Sequence, residues 1–511
     1  MQMKRQPPKN IIIVGGGTAG WMAANWLAHY WRNQECKITL IESPEVGIIG
    51  VGEGSTPYLR NFFRNLGIAE NEWMPACNAT YKAGISFPDW VDHPNNRNYF
   101  HPFFTYLDIQ SGERFFYNAC QRRRGLDVPA HPNDFFVTAA LARARLAPVP
   151  RHKLDYEPDY AYHFDSGLLG LFLSQRARMA GVNHISDTVT NVELTESGEI
   201  GGLYLHSQGR LDGDFYIDCT GFSGVLINRA LGEPFISFAN NLFNDCAVAM
   251  PTPMDNGQDI PVETISCAMK YGWSWKIPLT NRYGNGYVYS SSFASQEQAE
   301  KELREHLGDS AKGQEARHLK MRIGRIERHW SKNCLALGLS QGFIEPLEAT
   351  ALMLVQFTIE MFCAVHDSAD TLVTARQTLN QKINMMFDGV RDYIVAHYQL
   401  NSRTDTDYWV ENREHTNISS NLAEIFHSWD SGADFEATLT KLKATQVYLR
   451  PSWYCLLAGM GRFPSRLQPP TNPMLIQAAP ASRTYCDAIA KKLFYGHQAH
   501  LQEIYGDSWR R

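Results

Sequence analysis

The sequence predicts an α/β fold with a Rossmann-like dinucleotide-binding core and a largely helical C-terminal part, on three observations. An apolar run at 11–14 leads through GGGTAG into a helix-forming stretch. Further strand-like runs are scattered far along the chain. After residue 350 the apolar period becomes helical.

Residues 1–57 read as strand, glycine-rich turn, helix and strand: IIIVGGGTAG, WMAANWLAHYWRN and CKITLIES. Gly15, Gly17 and Gly20 form GxGxxG between strand and helix, where the motif has physical meaning. Its glycines let backbone approach a pyrophosphate, whose charge then lies at the positive helix N-terminus. Glu42 ends the next strand, placed to accept a hydrogen bond from a ribose hydroxyl. The fingerprint fits FAD and NAD equally. No second GxGxxG is present, so a bound flavin would receive its electrons from another protein.

Extended runs at 201–206, 214–219 and 334–339 suggest one sheet assembled from distant parts, the last two leading into DCTGFSG and SQGFIEP. Residues 82–150, rich in aromatics, Pro and Asn, read as long loops around a pocket. TALMLVQFTIEMFCAVH and LNQKINMMFDGVRDYIVAHY are helical in period. The expected division is a core over 1–350 and a helical capping region over 351–511 packed directly on it, since no repeat, linker or low-complexity tract intervenes.

At 511 residues the chain is long enough to enclose a cavity. A net charge of −5 gives no basic field for nucleic acid, so a small-molecule substrate is the expectation. Ten scattered cysteines without a CxxC pair read as reduced thiols of a cytoplasmic protein, with no metal site. The first residues, MQMKRQPPKN before IIIV, are too poor in apolar side chains for a secretion signal. The apolar stretch 351–365, broken by Gln356, Thr358 and Glu360, falls short of the roughly 20 residues that cross a bilayer.

Four segments together resemble the flavin-dependent tryptophan halogenases: GGGTAGWMAA at the start, GVGEGSTP at 50–57, GWSWKIP at 272–278 and FIEPLEAT at 343–350, with Lys82 in TYKAGISF. WxWxIP is the most specific of these. The resemblance runs from the first strand to about residue 400 and resumes weakly near Trp453. It implies an FAD-binding, flavin monooxygenase-type core in which reduced FAD, oxygen and chloride or bromide generate hypohalous acid. That oxidant then travels inside the protein to a separate aromatic pocket. The FADH2 would come from a separate flavin reductase, and a homodimer is one assembly open to the chain.

The resemblance assigns cofactor contacts to Gly15, Gly17, Thr18, Ala19, Gly20, Glu42, Val51, Glu53, Val189, Leu339 and Leu352. It makes Lys82 and Glu348 the catalytic pair. A lysine ammonium can hydrogen-bond hypohalous acid and polarise it, or as free amine form a haloamine, and desolvation makes either form accessible. The attacked ring becomes a cation, which a carboxylate stabilises and whose proton it can accept. Trp273 and Trp275 would stand between flavin and substrate.

Halide would lie beside the backbone of Thr350 and Ala351. Here Ala349-Thr350-Ala351 replaces the family's Ser-Thr-Gly, and because alanine resists positive φ a reshaped halide site is expected. His101 and Phe103 in YFHPF and Trp453 in PSWYCLL match positions that hold an indole ring. The segment before Trp453, QVYLRPSW, carries a single Tyr448 and no acid, which predicts a shortened lid and an indole or substituted indole as substrate instead of L-tryptophan. Two other readings stay open at this point, a flavin monooxygenase that hydroxylates an aromatic and a non-catalytic flavin-binding protein.

Overall fold

Ile11, Ile12, Ile13 and Val14 are all buried because the strand Asn10–Val14 lies inside a six-stranded sheet, with Ile11 and Ile13 entering one apolar cluster and Ile12 and Val14 another. Strand order is Trp330–Ser331, Cys334–Ala336, Phe215–Asp218, Asn10–Val14, Lys37–Glu42, Asn183–Ser186. All neighbours are parallel except the first pair. The computed structural model describes residues 5–47, 52–92, 98–156, 158–254 and 259–509. The helix Thr18–Tyr30 leaves the first strand and buries Trp21, Met22, Ala23, Ala24 and Leu27 against the helices Ser166–Met179 and Ala351–Ser368.

An eight-stranded sheet stands beside it, in the order Arg317–Lys320, Cys246–Ala249, Arg282–Tyr289, Gly272–Pro278, Glu263–Ala268, Gly84–Pro88, Asn98–Pro102. Thr252–Pro253 pairs off this path with Arg282–Tyr289. A three-stranded sheet of Glu53–Gly54, Ala161–Phe164 and Thr80–Lys82 joins the two regions. The apolar core runs without a break from Ile11 to Tyr505, so the helical part packs on the sheets directly. Among the described residues no helix is long and apolar enough to cross a membrane.

Two expectations are corrected. Residues 82–150 are mostly regular: strands Gly84–Pro88, Asn98–Pro102 and Leu146–Pro150, and helices Ile109–Arg123 and Val137–Ala144. The aromatics taken for pocket lining, such as Phe115 and Phe135, are core residues. The strand Ile200–Leu205 lies outside the nucleotide sheet, between Val189–Leu194 and Gly209–Leu211 in an antiparallel one. Asn183–Ser186 supplies the outer parallel strand instead. Its short sequence, NHIS, carries too little apolar pattern to stand out.

Candidate active site

Gly15 sits at φ +114°, and a Cβ there would come within 2.2 Å of the Cys219 carbonyl oxygen. A Cβ on Gly20 would lie 2.0 Å from the Gly15 carbonyl oxygen. These two glycines are therefore required by the protein's own packing. Gly17 differs, because a Cβ on it would meet nothing within 4 Å, which leaves its backbone bare toward open space. It precedes a helix whose first turn has no acidic residue and no side-chain cap. Glu42 packs under Gly16 and pairs with His184 Nε2 at 3.1 Å.

A cavity of about 600 Å³ begins here. Gly15, Gly17, Thr18, Ala19, Glu42, Glu53, Val189, Leu339 and Leu352 all line it, together with the turns at 219–223 and 337–339. Gly20 supports the loop from behind, and Val51 lies outside the described residues. Burial pushes the Glu53 carboxyl up to about 7, with the neighbouring Asp165 adding to the shift. A bare glycine backbone, an uncapped helix start and an acidic strand end facing one cavity fit a dinucleotide.

The same cavity is lined farther on by Trp273, Trp275, Thr350, Ala351, Gly54, Ile85, Thr264 and Lys82. Lys82 ends its short strand with 0% exposure. Its Nζ donates to the Ser55 carbonyl at 3.1 Å and stands 5.6 Å from the Phe103 ring centre. Desolvation pulls the ammonium down to about 7, although the charge of Glu348 works the other way.

Glu348 is equally buried. Burial alone would raise its carboxyl, yet His101 and His397 hold it down to about 2. His101 Nδ1 lies 3.0 and 2.9 Å from the two carboxylate oxygens, and His397 Nε2 lies 3.2 Å from Oε1. Ser452 Oγ meets the other face of His101 at 3.0 Å. The imidazole expected against an indole is thus the partner that fixes Glu348. Trp453 meets Tyr393 edge-on at 5.0 Å, and Tyr448 stacks on Tyr393 at 3.6 Å. His101, Phe103, Trp453 and Glu348 stand outside the wall of the cavity that reaches Lys82.

Trp273 and Trp275 lie side by side on the strand Gly272–Pro278 with ring centres 6.3 Å apart. Trp273 Nε1 donates to Glu345 Oε2 at 2.8 Å, an oxygen that also accepts from Asn244 and Tyr398. The Trp275 ring covers Gly286 on the next strand, where a Cβ would come within 2.0 Å of it.

Ala351 is the first residue of the helix Ala351–Ser368 and takes no positive φ. The strained position is Ala349, at φ +56° and ψ 36°, at a cost of roughly 1–2 kcal/mol for an L-residue. The helix start beyond it again lacks an acidic residue and a side-chain cap, leaving its first N–H groups for an anion.

A family model described as tryptophan halogenase matches residues 10–474. The chain belongs to the tryptophan halogenase family. Tryptophan 6-halogenase SttH of Streptomyces toxytricini is 38% identical over 84% of this chain and 85% of its own length. 7-chloro-L-tryptophan 6-halogenase KtzR of Kutzneria sp. (strain 744) is 37% identical over 88% and 90%. Among solved structures, BrvH, a flavin-dependent halogenase from Brevundimonas sp. BAL3, superposes with a TM-score of 0.83 at 31% identity, covering 98% of this chain and 99% of that one. This family member is accordingly a flavin-dependent halogenase, an enzyme on an α/β Rossmann-type fold. The hydroxylase and the non-catalytic protein gain no support.

Several residues of the halogenase escaped the sequence reading. His397 and Tyr393 sit in a helical pattern where they read as core, and Ser452 is masked by its neighbour Trp453. Thr264 carries no spacing signal at all, and Glu345, although inside FIEPLEAT, was given no role.

Replacing Gly15 with Ala should prevent soluble folding, whereas Gly17→Ala should fold and lose flavin affinity, measured by circular dichroism and flavin titration. Loss of folding in both would show that Gly17 serves the loop and not a ligand. A second expectation concerns Lys82, whose folded pKa lies below the unfolded value. Its burial penalty is complete below pH 7 and fades as pH rises toward 10.5. In urea titrations Lys82→Met should therefore exceed the wild type in stability most at pH 6.5, with the gap closing by pH 9.5.

Proposed function

We propose that this chain oxidises chloride or bromide to hypohalous acid at an FAD-binding cleft beside the Gly15–Gly20 loop and spends the oxidant on an indole beside Lys82 and Glu348. The observation that carries this reading is the single cavity whose wall includes both the fingerprint and the buried amine. Reduced flavin, delivered by a separate reductase, supplies with oxygen the oxidising power. Every other task falls to this chain, as a monomer or a homodimer.

The N–H groups at Thr350 and Ala351 attract halide, and the two tryptophans narrow the passage so that organic substrate stays away from the flavin. Lys82, held near 7, carries both ammonium and amine forms around neutral pH, so it can polarise the oxidant or take up its halogen. Glu348 stays anionic and faces the region where the ring turns cationic. A carboxylate held near 2 is a weak proton acceptor, so charge stabilisation is the role its surroundings favour. In this scheme residues 1–350 make the oxidant, and 351–511 close over the aromatic substrate.

Indole or a substituted indole suits the site better than L-tryptophan. Within 446–453 no acid is present to hold an amino group. Arg450, the one cation there, is already paired with Glu113 and Glu436 at 3.1 and 2.7 Å.

In a reaction of purified protein, FAD, NADH, an unrelated flavin reductase and bromide, Lys82→Ala should abolish bromoindole while oxygen uptake continues. Retained halogenation in that variant would sink the assignment of Lys82. Comparing kcat/KM by mass spectrometry should favour indole over L-tryptophan by at least about tenfold, and a preference for tryptophan would overturn the reading of the shortened segment.

A further inference from the structure

A Cβ built on Gly54 would lie 3.2 Å from Lys82 Nζ and 3.2 Å from Thr264 Oγ1, with His163 Cδ2 at 3.5 Å. With no side chain on the glycine, the amine and the hydroxyl flank the same bare stretch of backbone, each 3.2 Å from where a Cβ would stand. All three residues Gly54, Lys82 and Thr264 line the cavity that begins at the fingerprint.

The direction of the Thr264 hydrogen bond is fixed by a chain behind it. Thr80 Oγ1 donates to the Pro278 carbonyl at 2.7 Å, so toward His163 it offers a lone pair. His163 Nδ1, 3.1 Å away, must donate to it. A neutral imidazole that donates from Nδ1 has a bare Nε2, and that atom faces Thr264 Oγ1 at 2.9 Å. His163 is fully buried with Lys82 nearby, and desolvation and that charge both hold it neutral. Thr264 therefore spends its only proton on His163 and presents lone pairs alone to the niche.

We propose that Thr264 is a second contact for hypohalous acid, accepting the oxidant's O–H while the Lys82 ammonium donates to its oxygen over Gly54. Hypohalous acid carries one donor and one acceptor on the same oxygen, which is the pair of partners the niche supplies. Held at both, the molecule has only its halogen left to point at the ring. The π pair of the arene then attacks the halogen, and the C–X bond forms as O–X breaks. The O–X pair stays on oxygen, which takes a proton from the Lys82 ammonium and leaves as water. The ring loses its proton to the amine so vacated, restoring both partners.

This inference rests on the reading of Lys82 as the site where the oxidant arrives, and the two fail separately. Active Lys82→Ala refutes that reading, whereas inactive Lys82→Ala beside unaffected Thr264→Val refutes only the role of Thr264. Thr264→Val keeps shape and removes the acceptor, Thr264→Ser restores it, and Gly54→Ala crowds the approach to both groups while leaving the hydroxyl in place. With bromide and indole, Thr264→Val and Gly54→Ala should lower bromoindole formed per oxygen consumed by about tenfold, the scale of one lost hydrogen bond. The missing oxidant should appear as free hypobromous acid caught by a scavenger, and Thr264→Ser should recover most of the yield. Flavin-free crystals of the wild type should hold one ordered water within hydrogen-bond distance of both Nζ and Oγ1. Wild-type yield from Thr264→Val, or a valine that fails to fold while Gly54→Ala keeps full yield, overturns the proposal, as does a wild-type niche without that water.

Discussion

A lysine with no solvent exposure, in the field of a buried carboxylate clamped by two imidazoles, is the constraint on which the rest of the structure depends. Two opposite charges in the interior carry a large desolvation penalty, which only near neighbours offset. Lys82 has one carbonyl partner, on Ser55, and one aromatic ring, on Phe103. It therefore remains half-way to losing its proton. Glu348 has three close contacts from two histidines and stays ionised. The asymmetry separates the pair into a group that exchanges protons near neutrality and one that holds its charge.

The two ends of the cavity are built by different means. At the fingerprint the wall is backbone, made close by Gly15 and Gly20, where no side chain fits. Around the lysine the supports are contacts made by side chains: Ser452 behind His101, Thr80 behind His163, and the Tyr393 carbonyl behind His397. In the same wall Trp275 rests on bare Gly286 and Trp273 hangs from Glu345, so the placing of the two rings depends on one missing side chain and one buried acid.

This difference explains what was legible in the sequence. Backbone requirements leave a fixed spacing, and GxGxxG with Glu42 pointed from residues alone to the end of the cavity that is walled by backbone. Lys82 and Glu348 were singled out only through the motifs that contain them, since neither residue type nor spacing marks a buried charge. The supports were not legible: Thr264, Ser452, His397 and Glu345 act through contacts between strands and helices far apart in the chain. Residues 82–150 misled for the opposite reason, because aromatics in the core and in a pocket look alike until the sheet they cover is known. In the turn before the helix Ala351–Ser368 the strained residue is Ala349, which neither its type nor its place in Ala349-Thr350-Ala351 announced.

The strand order of the nucleotide sheet sets a schedule for the growing chain. The cofactor loop is complete by residue 20, but its strand is flanked by Phe215–Asp218, and Cys334–Ala336 adds beyond that. Such pairings close very long loops before they gain any stability. A nascent chain on the ribosome thus carries a finished fingerprint with no cleft behind it until the sheet is joined and the wall residues beyond it, Leu339 and Leu352 among them, have emerged.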